Sequence, residues 1–195
     1  MSGGDAPGLR KAVFLDRDGT INVEKNYLHR ISEWEWIPGA IEAIRRLNDA
    51  GYLVIVVTNQ AGIARGMYKE EDVHRLHNQL DVMLAPLRAH IDAYYYCPHH
   101  PDFGEKISCD CRKPAPGMIL QAQKDWNIDL PHSYMVGDKI ADIDAARAAG
   151  VRPILVATGY GAESRRKLAS DALCVSDLGA AADLILDTGN RVCHT

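Results

Sequence analysis

Carboxylates follow two short apolar runs of the chain, at positions where buried strands are predicted to end. Asp16 and Asp18 come directly after the run at 12–15, and Asp138 follows a second run at 134–136. Like charges gathered at one edge of a sheet repel one another unless a cation neutralises them. Mg²⁺ suits such a cluster because it accepts one or two carboxylates and keeps water and substrate phosphate as further ligands. The sequence therefore predicts a magnesium site at this edge.

Groups that could bind phosphate are predicted beside these acids. Thr58 follows a β-branched run at 53–57 and can donate a hydrogen bond to a phosphate oxygen, while Lys113 offers a fixed positive charge. Each residue alone has an ordinary explanation, since residues 18–20 are a common turn sequence and Asp138 can simply cap a helix. Taken together, these residues indicate phosphoryl transfer.

A third group of residues has the composition of a zinc site. Soft or borderline ligands crowd one loop that has no hydrophobic periodicity, at Cys97, His99, His100, Cys109 and Cys111. Four such ligands close a tetrahedral zinc site with no open position, which is a structural site. Their spacing differs from that of a nucleic-acid finger, and no recognition helix follows within reach. Free thiols with one reversible disulfide are the alternative that these residues leave open.

The elements that must position these residues alternate between strands and helices. Apolar runs predict strands at 12–15, 53–57, 91–96, 134–136 and 152–156, and periodic stretches predict helices at 38–50, 69–88, 116–126, 140–149 and 178–186. This alternation predicts βαβ units. We therefore predict an α/β fold, a Rossmann-like three-layer α/β/α sandwich with a mostly parallel sheet, whose ligands bind at the carboxyl ends of the strands.

Length and composition describe one ordinary globular domain. The chain has 195 residues, of which 47% are hydrophobic and 25% charged. The net charge of −4 argues against nucleic-acid binding, which needs a basic face. No stretch reaches about 18 consecutive apolar residues, and the first residues lack the apolar core of a signal peptide. We expect a cytoplasmic monomer that binds a small molecule and has no membrane or nucleic-acid partner.

The chain is predicted to divide into a leader, one domain and a tail. Residues 1–10 are small and Gly-rich and are expected to be flexible, 11–186 form the domain with its metal loop at 97–111, and 187–195 form the tail. A reducing compartment favours a metal site over disulfides in that loop. Cys174, expected to be a buried apolar residue, and Cys193, in the tail, are not assigned to the metal site.

Four ordered segments resemble the signatures of the haloacid dehalogenase-like phosphatases. These segments are residues 16–20, similar to the DxDGT signature, residues 58–60, Lys113 within 111–114, and residues 137–139 with Asp142. The resemblance covers residues 11–186 and implies the α/β fold of that family. Because no large insertion follows the first segment or separates the second from the third, it implies a member without the mobile cap domain.

Within that superfamily, the segments DRDGTIN, TNQ and CRKP with a Cys/His loop resemble the subgroup of histidinol-phosphate phosphatases and D-glycero-D-manno-heptose 1,7-bisphosphate 7-phosphatases. The tract GIARGMY at 62–68 makes the heptose enzymes the closer match. This resemblance implies a magnesium-dependent phosphatase that removes the C7 phosphate of heptose 1,7-bisphosphate in ADP-heptose (lipopolysaccharide core) or GDP-heptose biosynthesis. A histidinol-phosphate phosphatase is the alternative, and an inactive, zinc-stabilised interaction protein is a third hypothesis.

The resemblance also implies a role for each motif residue. Asp16 is the expected nucleophile, which forms an aspartyl-phosphate, and Asp18 is the expected general acid and base, with a pKa above that of the metal-bound Asp16. Asp16, Asp138 and the backbone carbonyl of Asp18 are expected to hold Mg²⁺. Thr58 should hydrogen-bond the phosphoryl group, and Lys113 should stabilise its charge and restrain the nucleophile.

The family's loop favours His99 over His100, so that the expected zinc ligands are Cys97, His99, Cys109 and Cys111. Bound zinc would fix the backbone that presents Arg112 and Lys113 to the phosphate.

Further residues are expected around the substrate. The expected substrate-binding residues are Glu24, Lys25, Asn26, Tyr27, Thr58, Asn59, Gln60, Arg112, Lys113 and Lys139. Asp142 is a candidate for supporting the metal ligands, whereas Asp144 is expected on the solvated helix surface. His74 and His77 are expected at the surface. Trp34 and Trp36 could either pack at the edge of the core or line the pocket.

Overall fold

A parallel β-sheet runs through the part of the chain that the structure, a computed structural model, describes: residues 8–105, 108–168 and 173–190. Its strands are β1 (Ala12–Leu15), β2 (Leu53–Asn59), β3 (Ala93–Cys97), β4 (Tyr134–Gly137), β5 (Arg152–Val156) and β6 (Leu173–Val175). They lie in the order β3-β2-β1-β4-β5-β6, and every neighbouring pair is parallel.

Helices connect the strands and cover both faces of the sheet. They are α1 (Ala40–Asp49), α2 (Glu70–Leu84), α3 (Gly117–Trp126), α4 (Ile140–Ala149), α5 (Gly161–Ser164) and α6 (Leu178–Asn190). Single turns of 3-10 helix lie at Ile31–Glu33, Ala85–Leu87, Leu130–His132 and Arg165–Lys167. The predicted three-layer α/β/α architecture is confirmed.

The central strand β1 shows why the predicted runs are continuously apolar. Val13 and Leu15 pack in the core beneath α1 and α6, whereas Ala12 and Phe14 pack in the core beneath α3 and α4. All four side chains are fully buried. A strand covered on both faces has no polar face, so alternation of polar and apolar residues is lost.

The structure adds short elements that the sequence pattern did not predict. Strand β6 and helix α5 contain three and four residues, which is too short for a hydrophobic period to be recognised. Helix α6 continues to Asn190, so that the predicted tail, residues 187–195, begins inside a helix. Cys174, predicted to be buried, is half-buried in β6.

The last residue of the predicted leader, Arg10, is hydrogen-bonded to the domain. The amide of Arg10 donates to Asn127 O at 3.0 Å, and the amide of Asp129 donates to Arg10 O at 2.8 Å. Residues 1–7 of the leader and residues 191–195, which include Cys193, lie outside the described residues. In the described part of the chain, no helix combines the length and the apolar character needed to cross a membrane.

Sequence analysis left the position of Trp34 and Trp36 open and wrongly placed His77 at the surface. Trp34 and Trp36 pack edge to face with ring centroids 5.0 Å apart and lie against the core that α1 covers. His77, expected at the surface, is 3% exposed and stacks on Tyr94 at 4.2 Å. Its Nε2 has no hydrogen-bond partner, and burial, helped by the charge of Arg17, lowers its pKa to about 3.

His77 should make stability depend on pH. This histidine binds a proton near pH 6.5 in the unfolded chain and near pH 3 in the folded chain. Its contribution to the free energy of unfolding is therefore present above pH 6.5 and is lost as pH falls. Between pH 7 and 5 the wild type should therefore lose about 2 kcal/mol of unfolding free energy more than His77→Phe. Urea unfolding at several pH values measures this difference. His74→Phe, on the exposed face of α2, should behave like the wild type, and equal slopes for all three proteins would contradict the prediction.

Candidate active site

The polar residues of the site come from three neighbouring strands. Because β2, β1 and β4 are adjacent and parallel, their carboxyl ends bring Thr58, Asp16 and Asp138 to one edge. The amide of Asp16 donates to Val136 O at 2.9 Å, which continues the ladder between β1 and β4 past the end of β1. The sheet therefore fixes the backbone on which Asp16 is carried.

Three buried carboxylates meet at this edge. Asp16, Asp138 and Asp142 each offer an oxygen within 4.8 Å of the others. Asp138 Oδ2 accepts the amide of Tyr160 at 2.7 Å, but its Oδ1 has no hydrogen-bond partner. Burial, together with repulsion from Asp16, raises the pKa of Asp138 to about 8. Crowded, under-satisfied carboxylate oxygens fit a hard divalent cation such as Mg²⁺.

The backbone closes tightly around Asp138. Gly19, which follows β1, and Gly159, which follows β5, both have positive φ, and a β-carbon on either would collide with the Asp138 side chain. Thr158 Oγ1 donates to Gly19 O at 2.6 Å and joins the two loops. Glycine at both positions is therefore required by space as well as by φ.

Lys113 places a positive charge among these acids. Its Nζ lies 2.8 Å from Asp16 Oδ1 and 2.6 Å from Asp142 Oδ1, and it donates to Val57 O at 2.7 Å. Burial alone would lower the pKa of Lys113, but Asp142 and Asp16 outweigh it and raise the pKa. The ammonium group thus restrains one oxygen of Asp16.

Asp142 links this charge cluster to the start of α4. While Oδ1 contacts Lys113, its Oδ2 accepts the amide of Lys139 at 2.9 Å, one residue before the helix. Asp142 is therefore a full member of the buried cluster. Asp144, two residues later, is exposed as predicted.

The buried neighbour Arg17 controls the electrostatics of Asp18. Burial would raise its pKa, but the charge of Arg17 and hydrogen bonds from Asn22 and Gln60 outweigh burial and lower it. Arg17 is fully buried, and its Nη2 lies 2.9 Å from Asp18 Oδ2. Sequence analysis did not include Arg17, whose position inside the first motif offered no sign that it would be buried. The expected ranking of Asp18 against a metal-bound Asp16 stays a prediction.

An open cavity of about 240 Å³ lies above the carboxylates. Its lining residues are Asp16, Asp18, Glu24, Asn26, Tyr27, Thr58, Asn59, Gln60, Ala61, Tyr68, Lys113, Lys139, Ala141, Asp142 and Tyr160. Sequence analysis did not assign Ala61, Tyr68, Ala141 or Tyr160 to the pocket. Tyr160 follows the end of β5, so the rule that found Asp16 also applies to it.

Two predicted substrate-binding residues contact other parts of the protein instead of lining this cavity. Lys25 pairs with Glu35 at 2.7 Å on the surface. Arg112 Nη1 donates to His99 O at 3.0 Å and so attaches to the metal loop. Their neighbours Glu24 and Lys113 do line the cavity.

The loop over the cavity is held by its own polar contacts. Glu24 pairs with Lys139 at 3.2 Å through Oε2 and accepts the amide of Asn26 at 2.8 Å through Oε1. Asn26 and Tyr27 have φ of 51° and 66°, a left-handed conformation that is uncommon for non-glycine residues. The charges of Asp16, Asp138 and Glu24 overcome burial and raise the pKa of Lys139.

The metal loop gathers the four predicted ligands. Ligand atoms of Cys97, His99, Cys109 and Cys111 all lie within 4.8 Å of one another, whereas His100 Nδ1 instead accepts the amide of Asp102 at 3.1 Å. Burial raises the pKa of the Cys97 and Cys111 thiols, whereas hydrogen bonds outweigh burial and lower that of Cys109 to about 7. Thiolates with a histidine at this spacing fit Zn²⁺.

Asn59 connects the end of β2 to the segment that follows the metal loop. Its Nδ2 donates to Lys113 O at 3.0 Å, and its Oδ1 accepts the amide of Lys113 at 3.1 Å. Both polar ends of Asn59 therefore hold the backbone of Lys113. The position of the Lys113 ammonium depends on this pair of bonds and on the loop before it.

Family models match most of the described chain. Residues 13–87 match the model described as haloacid dehalogenase-like hydrolase, and residues 110–181 match a second model, described as HAD-hydrolase-like.

Two similar curated relatives share one name. The D-glycero-beta-D-manno-heptose-1,7-bisphosphate 7-phosphatase of Yersinia pestis is 48% identical over 166 residues, which cover 82% of this chain and 87% of the relative. The enzyme of the same name from Escherichia coli K12 is 49% identical over 152 residues, or 76% of this chain and 80% of the relative.

Solved structures agree with the sequence comparison. The D,D-heptose 1,7-bisphosphate phosphatase from B. bronchiseptica, complexed with magnesium and phosphate, has a TM-score of 0.84 and 35% identity, covering 91% of this chain and 99% of that chain. The Burkholderia thailandensis enzyme has a TM-score of 0.69 and 34% identity, with coverages of 91% and 99%.

The buried carboxylate cluster predicts that Mg²⁺ stabilises the fold through Asp138. Saturating Mg²⁺ should raise the Tm of the wild type by several degrees, because a cation that binds only the folded state stabilises it by mass action. Asp138→Asn should lose most of this shift. Asp144→Asn, on the exposed side of the same helix region, is the matched control and should keep it. Equal Mg²⁺ shifts in all three proteins would count against this metal site.

The metal loop predicts a structural zinc whose loss weakens activity. Cys109→Ser should lose bound zinc and lower Mg²⁺-dependent phosphatase activity about tenfold or more, because the loop carries the backbone of Lys113. Metal analysis and turnover on the same preparations test this. Cys174→Ser, outside the cluster, should keep one zinc and full activity. A zinc-free protein with an ordered loop and wild-type turnover would refute the prediction.

Proposed function

The chain belongs to the heptose 1,7-bisphosphate 7-phosphatase family of haloacid dehalogenase-like hydrolases, and we propose that it hydrolyses the C7 phosphate of D-glycero-D-manno-heptose 1,7-bisphosphate to give heptose 1-phosphate. The names of the curated relatives further support the β anomer as the preferred substrate. The enzyme acts in heptose biosynthesis, where heptose 1-phosphate is the product that a nucleotidyl transfer consumes.

The surroundings of Asp16 are the observation that supports the proposed chemistry. Asp16 lies buried at the floor of the cavity, with Lys113 2.8 Å from one carboxylate oxygen and with Asp138 and Asp142 beside it. A restrained carboxylate next to a cation-binding cluster is suited to attack phosphorus. Thr58, also in the lining, provides a hydroxyl for the phosphoryl oxygens.

We assign the steps as follows. A carboxylate oxygen of Asp16 attacks phosphorus in line, the bond from phosphorus to the C7 oxygen breaks, and Asp18 donates a proton to that leaving oxygen. Water then attacks the aspartyl-phosphate while Asp18 takes a proton back, which releases inorganic phosphate and restores Asp16. When bound, Mg²⁺ supplies positive charge that offsets the repulsion between the carboxylates and the phosphoryl group.

The residues of this chain perform the remaining tasks. Lys113 and Thr58 stabilise the phosphoryl oxygens, and Lys113 also holds Asp16 in place. Glu24 and Asn26 with Lys139 form one wall of the cavity, where the sugar hydroxyls and the second phosphate would lie. Because the cavity is open, selectivity depends on these loop side chains and not on closure of a domain.

We also propose that the enzyme works as a cytoplasmic monomer. Asp16, Asp18, Thr58 and Lys113, to which we assign the chemistry, line one cavity of a single chain, so that a monomer holds the catalytic set that we propose. The zinc ligands that we assign need reduced thiols, which the cytoplasm maintains.

Phosphate release from both anomers of heptose 1,7-bisphosphate and from histidinol phosphate tests the proposal. With Mg²⁺ present, the β anomer should be turned over with a kcat/KM about 100-fold or more above that of histidinol phosphate, because unpaired polar groups penalise the wrong substrate. Asp16→Asn should lower turnover by roughly 10³-fold or more, and Asp144→Asn should leave it unchanged. Preference for histidinol phosphate would overturn the substrate, and release that does not depend on Asp16 would overturn the mechanism.

A further inference from the structure

Gln60 lines the cavity but has no free polar atom to offer a substrate. It is 2% exposed, and its amide makes four hydrogen bonds within the protein. Oε1 accepts from Tyr68 Oη at 2.7 Å and from Arg17 Nη2 at 3.3 Å. Nε2 donates to Thr58 Oγ1 at 2.9 Å and to Asp18 Oδ2 at 3.3 Å. An amide has two donor hydrogens and two acceptor lone pairs, so its capacity is used completely.

The two ends of this amide are identified by their partners. A guanidinium group can only donate, so the end that faces Arg17 must be the oxygen. The end that faces Asp18 and Thr58 is then the nitrogen, which donates to the Asp18 carboxylate whenever that group is ionised. Gln60 is therefore held in one orientation by Arg17, which cannot accept a hydrogen bond, whether or not Asp18 holds a proton. Tyr68 reinforces that orientation with a second donor to the same oxygen.

The orientation of Gln60 determines the direction of the Thr58 hydroxyl. Because Nε2 can only donate, Thr58 Oγ1 must accept this bond, and its own proton has to point elsewhere. Thr58 is buried and lines the cavity above Asp16. A hydroxyl that was free to rotate could instead present its lone pairs to the phosphate, which would repel.

Tyr68 is built into this arrangement by packing. Its ring occupies the space where a side chain of Gly62 would be, and it stacks on His29 with ring centroids 4.9 Å apart. Burial raises the pKa of Tyr68 to about 12, so its hydroxyl remains a donor. The phenol therefore has a fixed place and a fixed role toward Gln60.

We propose that Gln60, oriented by Arg17 and Tyr68, is a positioning residue that keeps the Thr58 hydroxyl proton directed at the phosphoryl group. This inference rests on the proposed phosphatase function but does not depend on which phosphate ester is the substrate. Its role lies in the direction of one hydrogen bond and not in contact with the sugar. Substitution of Gln60 should therefore act through Thr58.

A double-mutant cycle between Gln60→Glu and Thr58→Val tests the proposal. The introduced carboxylate keeps the shape of the amide but presents an acceptor to Thr58, so the hydroxyl should turn away from the phosphate. We expect kcat/KM to fall about 100-fold in Gln60→Glu and about 100-fold in Thr58→Val, as for loss of one preorganised donor. In the Thr58→Val background, Gln60→Glu should add less than about threefold. Losses that multiply to about 10⁴-fold would overturn the proposal, because added negative charge alone would act in both backgrounds.

A conservative variant keeps the test valid if Gln60→Glu does not fold. Tyr68→Phe retains the ring and removes one donor to Gln60, and it should lower kcat/KM about tenfold with Thr58 present and not in the Thr58→Val background. Tyr94→Phe, which removes a hydroxyl bonded to Asp81 outside the cavity, should match the wild type. A Tyr68→Phe loss that persists without the Thr58 hydroxyl would overturn the proposal.

Binding of inorganic phosphate separates this inference from the proposed function. Calorimetric titration of phosphate into the Mg²⁺-loaded proteins should show the same non-additive pattern, with a Kd about tenfold weaker in each single variant. If the wild type failed to release phosphate from heptose bisphosphate, the substrate assignment would fall, while this pattern would still support the role of Gln60. Additive effects on Kd would overturn that role whatever the substrate.

Discussion

The repulsion among three buried carboxylates is the constraint on which the rest of the site depends. Asp16, Asp138 and Asp142 are gathered where little of their surface reaches water, and such an arrangement is costly unless positive charge is supplied. Lys113 supplies part of it by contacting two of the three, and the unpartnered oxygen of Asp138 leaves room for a divalent cation. Substrate phosphate adds further negative charge at the same place. The fold thus holds an excess of negative charge, which the binding of a divalent cation would relieve.

The position of Lys113 connects this constraint to the metal loop. Lys113 lies two residues after Cys111, and Asn59 holds its backbone from the end of the neighbouring strand. A small loop on its own has little apolar core, and four clustered ligands are one way to give it a fixed shape. The loop contributes no group that reacts with the phosphate. It precedes Lys113, however, and so determines where this buried ammonium group lies. Arg112, attached to the carbonyl of His99, follows the same loop.

Sequence patterns located the strand ends well and the side-chain directions poorly. Asp16, Thr58 and Asp138 could be assigned to one edge because a parallel sheet collects the carboxyl ends of its strands, whatever the loops do. Lys25 could not, since its pairing with Glu35 depends on how an irregular loop folds back. His77 is one of many polar residues on α2, and its burial depends on stacking against Tyr94 of β3. Periodicity carries no information about such long-range partners.

The two contacts of Asp142 limit how this protein can change in evolution. One of its oxygens binds the amide that begins α4, and the other contacts the buried lysine, so the same carboxylate serves both the architecture of a helix and the charge of the site. A change there is selected against twice, once through folding and once through chemistry. The contacts of Glu24 with Asn26 and Lys139 instead hold a loop at the rim, where the part of the ester that differs between substrates would lie. Descendants of this chain that act on other phosphate esters should therefore retain the floor of the cavity and vary along its rim.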